Sequence, residues 1–408
     1  EKEKILNKII LSLKKIPNYD IEGNHSWLLH TRIHFPKEFL QIILIDTNLF
    51  RNVETVILRK LDLSELDFTG CDVKNIDFSY TNAKIDPQRV AFQSLRETNC
   101  ENLDFSDVDF TNVDIRQTNL KGTKAKINPQ TIKDKNLFHT DCENLDFSDV
   151  DFTDVLVVGT NLKGTKAKIN PQSIRNKRLD SANCQNLDFS DADFTDVDIR
   201  ETNLKGTKAK INPQTIRYKN LLNTNCENLD FSDVDFTDVL VVGTNLKGTK
   251  AKINPQKVRE KRLVGVNCQN LDFSKYDFSG VFVGGANLKG TCAKIDPQRV
   301  AFQSLRGTNC EGLDFSTADF TDVDIRQTNL KGTKAKINPQ TIKDKNLFHI
   351  DCENLDLSDA DFTDVDIRGA NLKGTKAKID PQTVKDKNLL HTNCENLDLS
   401  DVDFTNVF

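Results

Sequence analysis

Cysteine recurs at Cys100, Cys142, Cys184, Cys226, Cys268, Cys310, Cys352 and Cys394, and every interval is 42 residues. A fixed period of this size marks a stacked array, whose units bury their apolar faces only against their neighbours. Each unit reads close to Cys-Glu-Asn-Leu-Asp-Phe-Ser-Asp-Val-Asp-Phe-Thr-Asn-Val-Asp-Ile-Arg-Gln-Thr-Asn-Leu-Lys-Gly-Thr-Lys-Ala-Lys-Ile-Asn-Pro-Gln-Thr-Ile, followed by a Lys-Asp-Lys-Asn-Leu stretch. The phase reaches back to Leu58, whose slot matches Cys100. A globular chain of 408 residues would be expected to form about two or three domains. The repeat overrides that expectation, because an array lengthens without widening its core.

Within the 42 lies a period of five. In Leu103-Asp104-Phe105, Val108-Asp109-Phe110, Val113-Asp114-Ile115 and Thr118-Asn119-Leu120, a small or β-branched residue precedes Asp or Asn and then a large apolar residue. Two more residues complete each repeat. Thr98-Asn99-Cys100, Ala125-Lys126-Ile127, Gln130-Thr131-Ile132 and Lys135-Asn136-Leu137 keep the frame. Two residues per unit are left over. The preferred place for them is Thr123-Lys124, after Gly122, where a bulge is tolerated and Ile127 takes the large apolar slot; insertion at Asn128-Pro129 is the alternative frame. A period of five matches neither an α-helix nor a plain strand.

This pattern resembles the pentapeptide-repeat family, whose motif is Ala-(Asp/Asn)-Leu-x-x, over about residues 58–408. The first position departs from it, with Leu103 and Val108 where the family favours Ala. The resemblance implies an all-β solenoid: a right-handed quadrilateral β-helix with one pentapeptide per side and four per coil. Each 42-residue unit is then two coils, with Cys100 stacking on Leu120, Phe105 on Ile127, Phe110 on Ile132 and Ile115 on Leu137. On this frame Phe105, Phe110, Ile115 and Leu120 are expected inside, and Asp104, Asp109, Asp114 and Asn119 outside. At the inter-strand spacing, about 16–17 coils make a rod about 80 Å long.

The expected organisation is a cap over residues 1–57 and the β-helix over 58–408. Ile5, Leu6, Ile9, Ile10, Leu13 and Ile16 fall at helical spacing among lysines, and Pro17 ends the pattern. A basic amphipathic helix can bind membranes or partners, but a solenoid needs its first coil covered, so a partly helical cap is the expected role. The apolar stretch from Trp27 to Ile45 would add to it. His25, His30 and His34 in this stretch have no carboxylate or thiol close by, so no metal site is expected.

The cysteine row points inward, and successive unit cysteines lie two coils apart, beyond disulfide reach. They are read as small buried hydrophobes. Cys71 takes an inward small-residue slot, whereas Cys292 replaces a bulge lysine and should be exposed. Free thiols suit a reducing, cytoplasmic setting and disfavour a secreted adhesin. No run of 18 apolar residues predicts a membrane span. No phosphate loop, catalytic triad, metal motif or cofactor motif stands out, and the repeated Asp104, Asp109 and Asp114 face different sides. The chain therefore reads as non-enzymatic and cofactor-free.

Some members of the family inhibit or protect DNA gyrase, a type II topoisomerase, and the resemblance explains this as an acidic rod imitating duplex DNA. Charge argues against that reading. Residues 98–139 carry six acids (Glu101, Asp104, Asp107, Asp109, Asp114, Asp134) and six bases (Arg116, Lys121, Lys124, Lys126, Lys133, Lys135), and the whole chain has a net charge of -5. Glu101 is expected beside Lys121, and Asp104 beside Lys126, which would cancel a long-range field. The same neutrality predicts no nucleic-acid binding.

The fourth side carries the positive signal. Its outward slots, Asp114 and Arg116 in the consensus, become apolar at Leu156, Val158, Leu240, Val242 and Phe282. Intervening coils add Phe138, Leu222, Val264, Phe348 and Leu390. Such a row reads as a contact surface. The function expected is thus a scaffold or protein–protein interaction module binding a protein partner through side four, with gyrase-directed DNA mimicry as the alternative. The chain stops at Phe408, fifteen residues into the unit begun at Cys394. An uncovered coil exposes backbone groups and apolar side chains, so a homodimer joined through the C-terminal coil is expected.

Overall fold

The computed structural model describes residues 56–58, 62–64 and 66–408. The expected cap, its helix from Ile5 to Ile16, the Trp27–Ile45 stretch and His25, His30 and His34 lie outside the described residues. Strand β1 (Val56–Ile57) pairs in parallel with β2 (Ile76–Asp77), in the register Val56 to Ile76. Beyond this pair, the coils are joined by single parallel bridges. Asn99 bridges Asn119 and Asn119 bridges Asp141, which are steps of 20 and 22 residues. Two steps make the 42-residue unit, and the chain is a β-helical solenoid with almost no helix.

The five-residue period follows from how each corner is made. The residue two places after each large apolar side chain commonly has a left-handed φ, as at Asn102 (62°), Asn112 (58°) and Gln117 (59°). Asn and Asp tolerate that region better than most residues. The Asn or Asp before the large residue accepts a bond from the backbone N–H two residues on, as in Lys121 N to Asn119 Oδ1 (3.0 Å). This is the Asx turn these residues favour. The two additional residues fall at Thr123-Lys124: Lys124 has φ 56°, and its equivalents Lys208, Lys250 and Lys334 have 56°, 56° and 57°. Thr123, Ala125 and Ile127 are all buried, so this side is longer and alternates like a strand.

Two compact units are distinguished: residues up to 169 with 173–176, and residues 170–172 with 177–408. Each has the same core. In the first, Phe105 meets Phe110 edge-on at 5.5 Å; in the second, Phe189–Phe194, Phe231–Phe236 and Phe315–Phe320 repeat that contact at 5.5 Å. Aliphatic coils alternate with these aromatic ones. Buried threonines are satisfied across coils: Thr224 Oγ1 donates to Ile199 O (2.9 Å) and Thr244 Oγ1 to Leu221 O (2.7 Å). A buried hydroxyl without such a partner would cost stability.

Three ladders of polar side chains reinforce the stack. The Asn245 amide donates to Asn225 (2.9 Å) and the Asn287 amide to Asn267 (3.0 Å), an arrangement shared with stacked β-structures. Gln214 donates to the carbonyls of Asp235 (3.2 Å) and Thr237 (2.7 Å) on the next coil, and one glutamine per unit does the same. Lysines pair with glutamates between coils, at Lys205–Glu227 (3.0 Å) and Lys331–Glu353 (2.7 Å).

The charge ladder corrects the expected partners. Lys121 pairs with Glu143 (3.3 Å) on the following coil, not with Glu101. Glu143 also reaches Lys163 (3.2 Å), and Asp141 adds its pull on Lys121. Asp104 is held below the ordinary carboxylate range first by Ser106, with Lys124, not Lys126, as its cationic neighbour. Lys124 projects from the left-handed bulge towards that row. Asn119 is half-buried in the amide ladder, not outside.

Candidate interaction face

The fourth side begins at left-handed corners such as Lys133–Lys135 and Arg217–Lys219, whose central residues Asp134 and Tyr218 have φ 56° and 58°. In its ionic form this side is not a surface carboxylate row. Asp114, Asp198, Asp324 and Asp366 are buried, which corrects the outward assignment of Asp114. Each is covered by the arginine two residues on. Arg200 holds Asp198 with two bonds of 2.9 and 2.5 Å, and Arg326 and Arg368 hold Asp324 and Asp366 likewise. Side chains two apart on an extended segment share a face, so the guanidinium folds over the carboxylate. Burial pushes the Asp198 carboxyl up, but the Arg200 side chain and backbone bonds outweigh it and hold the group below its ordinary value.

Against that background, the apolar variants replace a half-buried ion pair. In the first unit Asn136 bridges Leu156, which places Phe138 opposite Val158. Phe138 and Leu156 are half-buried, but Val158 is buried at 4% exposure. Val158 is therefore corrected from a contact residue to a packing residue, its short side chain shaded by the larger Phe138 beside it. Phe138 meets the His139 ring edge-on at 4.3 Å.

In the second unit Leu222, Leu240, Val242, Val264 and Phe282 occupy four successive coils and are half-buried. Leu221 N donates to Leu240 O (2.9 Å), Gly243 N to Val264 O (2.9 Å) and Leu263 N to Phe282 O (2.9 Å), which fixes them in one stack. The Arg262 guanidinium lies over the Phe282 ring at 5.9 Å. Phe348 and Leu390 lie further along the same unit, Phe348 beneath the Arg368 guanidinium at 5.7 Å and Leu390 exposed at 53%. They are separated from the four-coil patch by the ionic coil of Asp324 and Arg326, so the ten residues do not form one row.

Two features escaped the sequence reading. Tyr218 and Phe302 are exposed, Phe302 at 80%, on the corner leading into the patch, and Phe302 meets Phe282 edge-on at 5.4 Å. Their slot carries Asp134, Asp344 and Asp386 in other units, and that slot-by-slot comparison is the signal that would have found them. On the opposite corner, Gly243, Gly265, Gly285 and Gly307 succeed one another along four coils with backbones about 3.5–3.7 Å from a Cβ built on the next. Elsewhere this corner bears side chains: His139 and Asn223 overlie Gly159 and Gly243. The patch is thus a smooth apolar strip between an aromatic edge and a bare backbone edge.

The remaining chemistry is inert. Cys71 and seven of the periodic cysteines are buried and free; Cys394 is half-exposed in the last coil, which corrects its inward burial. Burial pushes the Cys184, Cys226 and Cys310 thiols up to about 12. Cys292 is exposed in the bulge at φ 53°. Among the described residues no group of His, Cys, Asp or Glu has metal-binding geometry. No helix of the described residues is long and apolar enough to cross a membrane.

These coils define a pentapeptide-repeat solenoid. A family profile described as pentapeptide repeats matches in eight copies over residues 91–124, 178–208, 304–334 and 346–377. The chain belongs to that family. Among solved structures it is similar to full-length QnrB1, a plasmid-mediated fluoroquinolone resistance protein, at 15% identity over 62% of this chain and 90% of that one, with a TM-score of 0.12. It is also similar to HetL, a pentapeptide repeat protein involved in heterocyst differentiation regulation from the cyanobacterium Nostoc sp. strain PCC 7120. That match has 15% identity over 86% of this chain and 90% of that one, with a TM-score of 0.10. No curated protein matches the chain.

Proposed function

We propose that this chain is a non-enzymatic scaffold that binds another protein through the strip from Leu222 to Phe302. The observation that carries the reading is the coincidence, on the same four coils, of lost ion pairs, half-exposed apolar side chains and a glycine edge. An ion pair replaced by apolar residues is neutral for packing, but packing alone does not call for an exposed Phe302 or a bare corner. A contiguous apolar strip rimmed by charge is the usual form of a protein contact. Phe138 and Leu156 in the first unit, and Phe348 and Leu390 in the second, are secondary contacts in this reading.

The same proposal includes a right-handed quadrilateral coil over residues 58–408, a cap over 1–57 and a reducing, cytoplasmic setting, the last supported by the buried free thiols. A homodimer through the C-terminal coil is supported by Phe404 and Phe408, which are 50% and 80% exposed. Affinity capture from source-cell extract tests the partner claim. Wild type and a Leu240→Asp/Val242→Arg/Phe282→Asp variant are compared, since Asp and Arg restore the ionic form of this side. Proteins retained by wild type and lost by the variant support the strip. An unchanged set overturns it.

A further inference from the structure

The array provides its own control for unusual positions, and one unit departs from it three times on one face. At the slot of Glu101, Glu143 and Glu227 stands Gln269; at the slot of Asp107, Asp149, Asp191 and Asp233 stands Lys275; at the slot of Val108, Val150 and Val234 stands Tyr276. One change removes a negative charge, one reverses it, and one adds a half-exposed aromatic ring. They surround a depression of about 590 Å³ whose lining includes Lys247, Lys250, Lys252, Lys275, Asp272 and Tyr276. Its floor is apolar, formed by Ala251 and Leu271.

The lysines there are less neutralised than their equivalents. Lys205, Lys289, Lys331 and Lys373 each pair with a glutamate of the next coil, at 3.0, 2.9, 2.7 and 2.9 Å. The next coil brings Gln269 to Lys247, and among the described residues Lys247 makes no ion pair. Four lysines therefore line the depression against one acid, Asp272, whose carboxylate accepts from Ser274 N (2.9 Å) in its own turn. Tyr276 is set edge-on against the buried Phe273 ring, with centroids 6.1 Å apart, which anchors it at the rim.

We propose that this depression binds a phosphate chain carrying a planar ring, as in a nucleoside triphosphate. Unpaired ammonium groups favour phosphate oxygens. A ring stacked on Tyr276 above an apolar floor would orient the ligand, since base–aromatic stacking is a recurrent mode of nucleotide recognition. No bond is made or broken; the proposal is of binding alone.

Calorimetric titration of the full chain with magnesium-free ATP, and separately with tripolyphosphate, tests it. The variants are Lys275→Asp and Tyr276→Val, which install the residues of the preceding unit, Asp233 and Val234, and which the coil accommodates there. Wild type should bind ATP at one site, more tightly than tripolyphosphate, with affinity falling as salt is added. Lys275→Asp should weaken both ligands about tenfold or more, for reversal of one contacting charge. Tyr276→Val should weaken ATP and spare tripolyphosphate. Absence of saturable ATP binding, ATP affinity unchanged by Lys275→Asp, or tripolyphosphate bound as tightly as ATP would each overturn the proposal.

Discussion

Removing the guanidinium of Arg200 should destabilise its coil, and adding a second substitution should restore it. Asp198 is buried while Arg200 is 38% exposed, and two bonds of 2.9 and 2.5 Å join them. Arg200→Ala leaves a carboxylate shielded from water with one remaining local bond, from the residue 200 backbone N–H at 3.3 Å. Breaking a fully buried pair costs about 3–5 kcal/mol. Partial exposure and that surviving bond reduce the expected cost to about 1–3 kcal/mol. The double substitution Asp198→Leu/Arg200→Val installs the residues of the neighbouring unit, Leu240 and Val242. It should lie within about 1 kcal/mol of wild type, because both desolvation costs vanish together. Solenoid unfolding need not be two-state, so hydrogen exchange at the Asp198 amide, which donates to Lys177 O at 3.0 Å, is the local assay. Acid provides a second readout. The folded Asp198 carboxyl lies below its unfolded value of about 3.9, so its contribution is present above that pH and is lost as pH falls through the folded value. The double variant should lose this dependence. A neutral Arg200→Ala, or a double variant as unstable as the single, would refute the reasoning.

Further outcomes follow from the same geometry. A polar maleimide should label Cys292 fastest, Cys394 next and the seven buried periodic cysteines slowest; equal rates would contradict the inward row. Phe236→Ala should cost about 3–5 kcal/mol, measured by denaturant unfolding, because it removes one ring of an edge-on pair in a closed core. Gln214→Ala should lower local exchange protection by about 1 kcal/mol, since two carbonyls of the next coil lose their donor; no change would show the glutamine ladder to be ornamental. Gyrase supercoiling should be unaffected at micromolar protein, because the lysine–glutamate and arginine–aspartate pairs cancel the field a DNA mimic needs; potent, salt-sensitive inhibition would reverse that ranking.

The coil was legible because its signal is redundant. Each large apolar slot is written many times, so Phe105, Phe110, Ile115 and Leu120 could be placed inside from spacing alone, and the Thr123-Lys124 bulge from the two residues left over. Cys292 was legible by the same comparison. Asp114 was not. The frame places it outward, and nothing in the spacing says that Arg116 will fold back over it. The lysine partners were also misread, because a lysine lies between two coils and its long side chain chooses by local field. Asp141 beside Glu143 draws Lys121 forward. On the fourth side, apolar identity was read as exposure. Val158 shows that a small residue beside a Phe on the adjacent coil is shaded instead. Tyr218, Phe302 and the glycine edge were missed because they sit on corners, where side chains were judged by turn chemistry alone.

The claim that the Leu222–Phe302 strip is a contact surface is tested most directly by placing a photo-crosslinking residue at Val264, inside it. The control position is Lys210, exposed on the second side of the same unit. Irradiation in source-cell extract should give a discrete adduct from position 264, abolished by the Leu240→Asp/Val242→Arg/Phe282→Asp background, and none from position 210. Identical adducts from both positions, or none from 264, would contradict the account.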